Sequence, residues 1–215
     1  MKTLRAALLT LLATGAVTAT QTASALPSGW YDTVPAWSST ASACSVDESS
    51  TGKYEFSGTQ FRYSGDNVSP ATSSIFGMLY QPITIRCNVT PMYDYVPAQQ
   101  GDLFEIPASW KSVSWNSLVV GYKDPDGISG NALVSASLRR LDRTTMTEST
   151  VASFSSNSFA PVVAGEEVKQ FSHTFDFLNS DYYVEINLTR KDKTVATPVV
   201  YSVRLTNGGI TSVIH

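Results

Sequence analysis

The stretch ITIRCNV, residues 83–89, alternates apolar and polar side chains without a break. Its odd positions, from Ile83 to Val89, are apolar and its even positions are polar. Because successive side chains of a strand point to opposite faces, this period of two predicts a β-strand with one face in a core and the other in solvent. The stretch decides the fold because the same alternation returns along most of the chain.

The repeated alternation predicts an all-β protein. Turn residues separate the alternating segments, and none of them shows a sustained 3.6-residue period with helix caps. We therefore expect an antiparallel β-sandwich, jelly-roll-like, with roughly eight to ten strands. An immunoglobulin-type core is disfavoured because no Trp lies between Cys44 and Cys87. The other strand segments are 54–56, 61–63, 118–122, 132–138, 151–154, 168–177, 182–189 and 199–205.

The first 25 residues have the pattern of a secretory signal. Lys2 and Arg5 precede an apolar run, and Ala23-Ser24-Ala25 fits the small-x-small rule for cleavage. The run is shorter than the roughly 20 apolar residues of a membrane span, which argues against a retained anchor. We expect residues 1–25 to be removed, 26–50 to form an irregular lead-in and 51–215 to form one β-sandwich domain. The protein would then be extracellular, or periplasmic in a bacterium.

Charge and composition narrow the range of partners. The predicted signal holds two of the 15 basic residues and none of the 18 acidic residues, which leaves a formal charge of −5. Nucleic acids and anionic membranes require a basic surface, so neither is expected as a partner. Charged residues make up 15% of the chain, whereas Ser and Thr number 52. Hydroxyl groups therefore replace charges on much of the surface, which suits strands and turns.

The two cysteines predict one disulfide. Cys44 and Cys87 both lie in the exported part of the chain, where the compartment is oxidising. The alternation at 83–89 places Cys87 on the apolar face, as a buried bridge requires. Neither cysteine has C-x-x-C or metal-ligand spacing, so redox catalysis and zinc binding are not expected.

The sequence Asp124-Pro125-Asp126-Gly127 predicts a turn. It also resembles the start of a calcium loop, in which carboxylate oxygens are the ligands. The further ligands of an EF-hand are missing at their usual spacing. We expect a turn without a cofactor, with calcium bound by Asp124 and Asp126 as the alternative.

Residues suited to catalysis are few, and no catalytic residue is assigned. His173 lies among phenylalanines, where a hydrogen-bonded structural histidine is the expectation and a general base is the alternative. No G-x-S-x-G motif supplies a nucleophile. A glycosidase needs two carboxyl groups about 5–10 Å apart, and solvated surface charge is the more ordinary role of such groups. The carboxylates considered for such a pair are Glu55, Glu105, Asp176 and Glu185.

The segment TPMYDYVP, residues 90–97, is the predicted binding loop. It follows a strand, and its prolines stiffen it. Tyr93 and Tyr95 would stack on a ligand while Asp94 accepts its hydrogen bonds; the alternative is that both rings cover the core. Trp110 is the fourth candidate. Another Trp lies five residues further on, so one of the two should meet solvent if the strand is continuous.

These features support three functions. The first is a secreted, non-catalytic β-sandwich that binds or scaffolds at the cell exterior, with a carbohydrate or a cell-surface protein as its partner. The second is a secreted carbohydrate-active hydrolase, suggested by the aromatic residues and the carboxylates. The third is a structural subunit that assembles with copies of itself.

Overall fold

The computed structural model describes residues 36–65, 70–74, 77–96, 98–100 and 105–207. The predicted signal at 1–25 and the start of the predicted lead-in lie outside these ranges. No helix among the described residues is long and apolar enough to cross a membrane. The strands are β1 Trp37–Thr40, β2 Ser45–Val46, β3 Tyr54–Ser57, β4 Gln60–Tyr63, β5 Pro70–Ser74, β6 Gly77–Tyr80, β7 Ile83–Asn88, β8 Tyr93–Val96, β9 Gln99–Gln100, β10 Glu105–Ile106, β11 Ser109–Ser112, β12 Ser117–Lys123, β13 Ala132–Asp142, β14 Thr147–Ser155, β15 Gly165–Gln170, β16 Ser180–Arg190 and β17 Val199–Thr206.

Two antiparallel sheets form the body of the protein. The six-stranded sheet has the order β15-β12-β17-β4-β3, and β1 also pairs with β17. The five-stranded sheet has the order β14-β13-β16-β7-β2. The predicted all-β antiparallel sandwich is confirmed, and its jelly-roll-like arrangement stays a prediction.

The core lies on the faces that the alternation predicted. In β16, Val184, Ile186 and Leu188 are fully buried, and the residues between them are partly exposed. Leu118 and Val120 of β12 supply buried side chains from the other sheet to the same core cluster. Burying an aliphatic side chain of this size contributes about 1.5–3 kcal/mol. Period-two patterning therefore determines which face of each strand enters the core.

The predicted disulfide is present. Cys44 and Cys87 are bonded across a sequence separation of 43 residues. Cys87 lies on the buried face of β7, and Cys44 follows the short 3-10 turn Ala41–Ala43 after β1. Because β1 pairs with β17 of the six-stranded sheet, the bridge ties this segment to the five-stranded sheet as well.

Part of the predicted irregular lead-in is regular, which corrects the boundary at residue 50. Residues 37–40 pair with β17, and residues 45–46 pair with β7. These segments are rich in Ser and Ala and show no clear alternation, so pattern alone gave no sign of them. Pairing with strands that already exist satisfies their backbone groups, and this tertiary context decides the outcome.

The strand predicted at 168–177 ends earlier, at Gln170. Beyond it, the backbone N–H of Asp176 donates to the hydroxyl of Tyr182 at 3.1 Å instead of joining a ladder. Phe175 and Phe177 are both buried there. Packing of these aromatic rings replaces strand pairing in the segment.

The strand register defines two ends of the sandwich. The aspartate end contains the turn with Asp124 and Asp126, which joins β12 to β13. The hairpin end contains β8 and β11, which come after β7 in the chain and pair with each other. The neighbouring strand termini are Lys123, Ala132, Arg190 and Ile83 at the aspartate end, and Ser117, Asp142, Ser180 and Asn88 at the hairpin end.

Candidate functional site

The predicted binding loop is a β-strand, which corrects the expected backbone of residues 92–96. Tyr93–Val96 pairs antiparallel with Ser109–Ser112, and β9 and β10 form a second two-stranded ladder between them in sequence. We call the paired strands β8 and β11 the hairpin. Pro91 precedes its first strand and so does not interrupt the ladder, as expected for a proline near a strand end.

The hairpin brings two aromatic residues together. The register pairs Tyr93 with Ser112 and Tyr95 with Trp110. Tyr93 and Trp110 are therefore diagonal neighbours on one face, a relation that places Cα atoms about 7–8 Å apart. Asp94 pairs with Lys111 in the same ladder. All four predicted binding residues thus lie in one short ladder.

The two tryptophans have opposite environments. Trp110 is 69% exposed, whereas Trp115 is 1% exposed. The ring of Trp115 packs edge-on against Phe175 at 5.2 Å and Phe177 at 6.2 Å between centroids. The prediction that one Trp meets solvent is confirmed. Trp115 belongs to the core at the hairpin end.

Tyr93 combines the two roles that the sequence left open. Its side chain is 42% exposed, and its ring meets buried Phe177 edge-on at 6.2 Å between centroids. Phe177 therefore braces one side of the ring while another part stays accessible. No local pattern indicates this contact, because the two residues are 84 positions apart in the chain.

His173 has a structural environment. Its Nε2 lies 3.0 Å from the hydroxyl of Tyr182, which also accepts the N–H of Asp176. The tyrosine hydroxyl can then donate to Nε2 of a neutral imidazole. Burial, and next the charge of Arg140, lower the pKa of His173. The neutral ring also packs edge-on against Phe175, as expected for a structural histidine.

Three of the four carboxylates considered for a glycosidase pair bind a local partner. Surface ion pairs and hydrogen bonds of this kind are ordinary features of β-sheets and contribute little to stability. Nothing in these contacts brings two of the carboxylates to one cleft. The side chain of Glu105 lies outside the described structure. The pairs are Glu55 with Arg62 at 2.7 Å, Glu185 with Arg86 at 2.9 Å, and Asp176 with the side chain of Asn179 at 2.8 Å.

The two aspartates of the predicted metal site lie in one hydrogen-bonded turn. Asp124 is fully buried, and its carboxyl accepts the Ser156 hydroxyl and the N–H of Asp126. The Oδ2 atom of Asp126 accepts the N–H groups of Asn131 at 2.9 Å and Ala132 at 3.0 Å. These bonds close the turn into β13.

Below about pH 6 the carboxyl of Asp124 keeps a proton and shares it with Asp126. Burial raises the pKa of Asp124 to about 6. Burial opposes ionisation of Asp126 as well, but hydrogen bonds from Asp124 and from the Ala132 N–H outweigh it and lower the pKa of Asp126. When Asp124 is protonated, its hydroxyl can donate to Asp126. The buried Oδ1 atom of Asp126 has no other hydrogen-bond partner among the described residues.

A calcium ion at this turn stays a prediction. Within the described ranges, no third His, Cys, Asp or Glu side chain joins Asp124 and Asp126 in a metal-binding group. Calcium takes six to eight oxygen ligands, so the ion would need carbonyl groups or water in addition and would have to displace the shared proton.

The described part of the chain contains two cavities away from the rings of Tyr93 and Trp110. A cavity of about 440 Å³ separates β14 from β15 and is lined by Phe154, Phe159 and Val168, among others. A second cavity, of about 320 Å³, lies at the aspartate end. Neither is lined by Tyr93 or Trp110.

Comparison with known proteins gives one structural likeness. No family model and no curated protein matches the chain. The chain is similar in structure to a family two carbohydrate esterase from Cellvibrio japonicus, with a TM-score of 0.35 and 8% identity. The match covers 84% of this chain and 36% of the esterase chain, so this chain spans about a third of that structure's length. At this TM-score, function has to be argued from the residues of this chain.

Proposed function

We propose that this protein is a secreted, non-catalytic β-sandwich that binds its ligand through the hairpin end. The observation that carries the proposal is the pair of neighbouring, exposed rings of Tyr93 and Trp110. Tyr93 is held from one side by Phe177. A braced aromatic ring loses little conformational entropy when it binds, which is why such rings dominate many binding surfaces.

The proposed ligand is a carbohydrate at the cell exterior. An exposed aromatic face suits the apolar face of a sugar ring, while nearby polar groups suit its hydroxyls. Asp94 and Tyr95 occupy the next two positions of β8, and Tyr95 lies opposite Trp110 in the register. The disulfide between Cys44 and Cys87 suits an oxidising exterior.

The experiment combines a glycan array with two variants. Trp110→Ala and Tyr93→Ala should each weaken binding of the best array glycan by about 1–3 kcal/mol, measured by calorimetry. Phe56→Ala is the matched control because the exposed fraction of Phe56 is similar to that of Tyr93. Phe56 lies on β3 of the six-stranded sheet, outside the hairpin. Equal affinity for all three variants and the wild type would overturn the proposed surface.

The same purified protein separates the alternatives. Turnover of the bound glycan would favour the carbohydrate-active hydrolase. Concentration-dependent assembly in light scattering, lost in Trp110→Ala, would favour the self-assembling subunit. Binding without turnover by a monomer is the result that the proposal expects.

A further inference from the structure

Arg190 ends β16 in a buried position at the aspartate end. The residue is 7% exposed. Its Nε donates to the carbonyl of Val195 at 2.6 Å, and Nη2 donates to the carbonyl of Lys193 at 3.0 Å. The guanidinium carbon lies 5.4 Å from the centre of the Tyr80 ring. These contacts fix the plane of the guanidinium group.

The charge of Arg190 lacks a carboxylate partner among the described residues. Asp192 is two residues away, but its carboxylate accepts the N–H and hydroxyl of Thr194 instead. A buried charge is costly unless an opposite charge or strong hydrogen bonds compensate it. The other described arginines all pair with carboxylates: Arg62, Arg86, Arg139, Arg140, Arg143 and Arg204.

A cavity of about 320 Å³ adjoins this unpaired guanidinium. Lys191, Thr189 and Asn131 also line this cavity. The ring of Tyr80 forms part of the wall. The volume of the cavity is near the lower limit of ligand pockets, which is about 300 Å³ in a range that extends to about 1,000 Å³. A cavity of this size suits one small ligand.

We propose that this cavity is an oxyanion site that binds the carboxylate of an acidic sugar residue. Two hydrogen bonds hold the guanidinium to backbone carbonyls, and its Nη1 has no acceptor within the described part of the chain. Arginine presents paired donors to a carboxylate, and a nearby lysine adds charge. Thr189 and Asn131 then bind the hydroxyl groups of the sugar.

This site is independent of the ring surface at the hairpin end. Strand β16 runs from Ser180 at that end to Arg190 at the aspartate end, eleven residues in all. At about 3.3 Å per residue, such a strand spans more than 30 Å. A negative result for ligand binding at the hairpin end would therefore not count against the oxyanion site. A negative result for the oxyanion site would likewise not count against binding at the hairpin end.

Calorimetric titration of the purified chain at low salt tests the ligand chemistry. The probes are galacturonate, galactose and acetate. We expect galacturonate to bind at least about tenfold more tightly than either of the others, because only it offers both a carboxylate and hydroxyls. Galactose binding equal to galacturonate overturns the charge requirement. Acetate binding equal to galacturonate overturns the sugar requirement, and no heat with any probe overturns the site.

Variants of the two cations test the assignment. Lys191→Gln changes an exposed side chain, so the fold should persist while galacturonate affinity falls about 3- to 10-fold. Arg190→Lys should weaken binding further because the lysine lacks the paired donors. Lys193→Gln is the control, since Lys193 touches Arg190 through its backbone only. The readout is the rise in melting temperature caused by galacturonate, which a merely structural role for these cations would leave unchanged. An undiminished rise in Lys191→Gln would overturn the proposal.

Discussion

The two ends of the sandwich are built from different chemistry. The aspartate end contains the buried carboxyl of Asp124, its half-buried partner Asp126 and the buried cation Arg190. The hairpin end contains an aromatic cluster in which Trp115 and Phe177 are buried. Most of the hydrogen bonds that shape the aspartate turn join residues close in sequence, whereas the aromatic cluster joins distant ones. Local sequence can therefore specify a turn, while an aromatic cluster built from distant segments depends on packing over long range.

The two ends also differ in how their contribution to stability depends on pH. Burial raises the pKa of Asp124 at one end and lowers the pKa of His173 at the other. Both shifts have the same cause, since burial disfavours the charged form of each group. Their consequences for stability have opposite signs, because the neutral form of an acid is protonated and that of a histidine is not.

The largest expected effect is on the aromatic cluster. Trp115→Ala should lower the free energy of unfolding by about 3–5 kcal/mol, because it leaves a cavity beside Phe175 and Phe177. Chemical denaturation with far-ultraviolet circular dichroism measures it. A loss below about 1 kcal/mol, in the range of surface changes, would contradict a packed cluster at the hairpin end.

The next effect concerns Asp124. Its pKa is raised from an ordinary 3.8 to about 6, so the unfolded chain loses the proton at lower pH than the folded one. This group therefore reduces stability as pH rises between about 4 and 6, and the loss is complete above that. Asp124→Asn keeps a donor for Asp126 without the ionisation. Its stability relative to the wild type should increase on the order of 1–3 kcal/mol from pH 4 to pH 7.

Denaturant melts at several pH values measure this difference. Asp181→Asn is the matched control, because Asp181 is an exposed aspartate whose pKa is lowered by its hydrogen bond from Arg143. Its stability relative to the wild type should change in the opposite direction with pH. A pH-independent difference between wild type and Asp124→Asn would contradict the shared proton.

Much of the fold was predictable from the sequence because alternation reports burial directly. Strands such as β7 and β16 have one apolar face, and the position of Cys87 on that face predicted the buried bridge. Strands β1 and β2 were not predictable, because they are short and gain their partners only when other strands are in place. The alternation of apolar and polar residues indicates which face of a segment is buried, but it does not indicate which strand the segment pairs with.

The sequence indicated which types of residue the candidate site contains, but the predicted backbone conformation was wrong. Tyr93 was a candidate because its segment follows a strand, and Trp110 because of its five-residue spacing to Trp115, but the expected rigid loop is a ladder. The partner strand β11 lies 13 residues beyond β8, and no short-range signal links them. Arg190 was missed because a charged residue at a strand end looks exposed, and only the fold shows that it is buried.

A smaller effect is expected at His173. The lowered pKa means that the unfolded chain binds a proton at higher pH than the folded one, so stability is lost as pH falls below about 6.5. His173→Gln should remove this dependence while its amide still meets the Tyr182 hydroxyl. Melting temperatures at pH 5 and pH 7.5 measure it. Equal pH dependence in variant and wild type would show that His173 titrates as an exposed histidine.

The smallest effects on stability are expected at the two exposed rings, and they separate binding from core packing. Trp110→Ala should change the free energy of unfolding by less than about 0.5 kcal/mol, as at other exposed sites. Tyr93→Ala should cost about 0.5–1.5 kcal/mol, because it loses the edge-on contact with Phe177. Thermal melts of both variants can be measured before any ligand is known. A loss of several kcal/mol in Trp110→Ala would make that ring part of the core, and the hairpin end would then have no exposed ring pair to bind with.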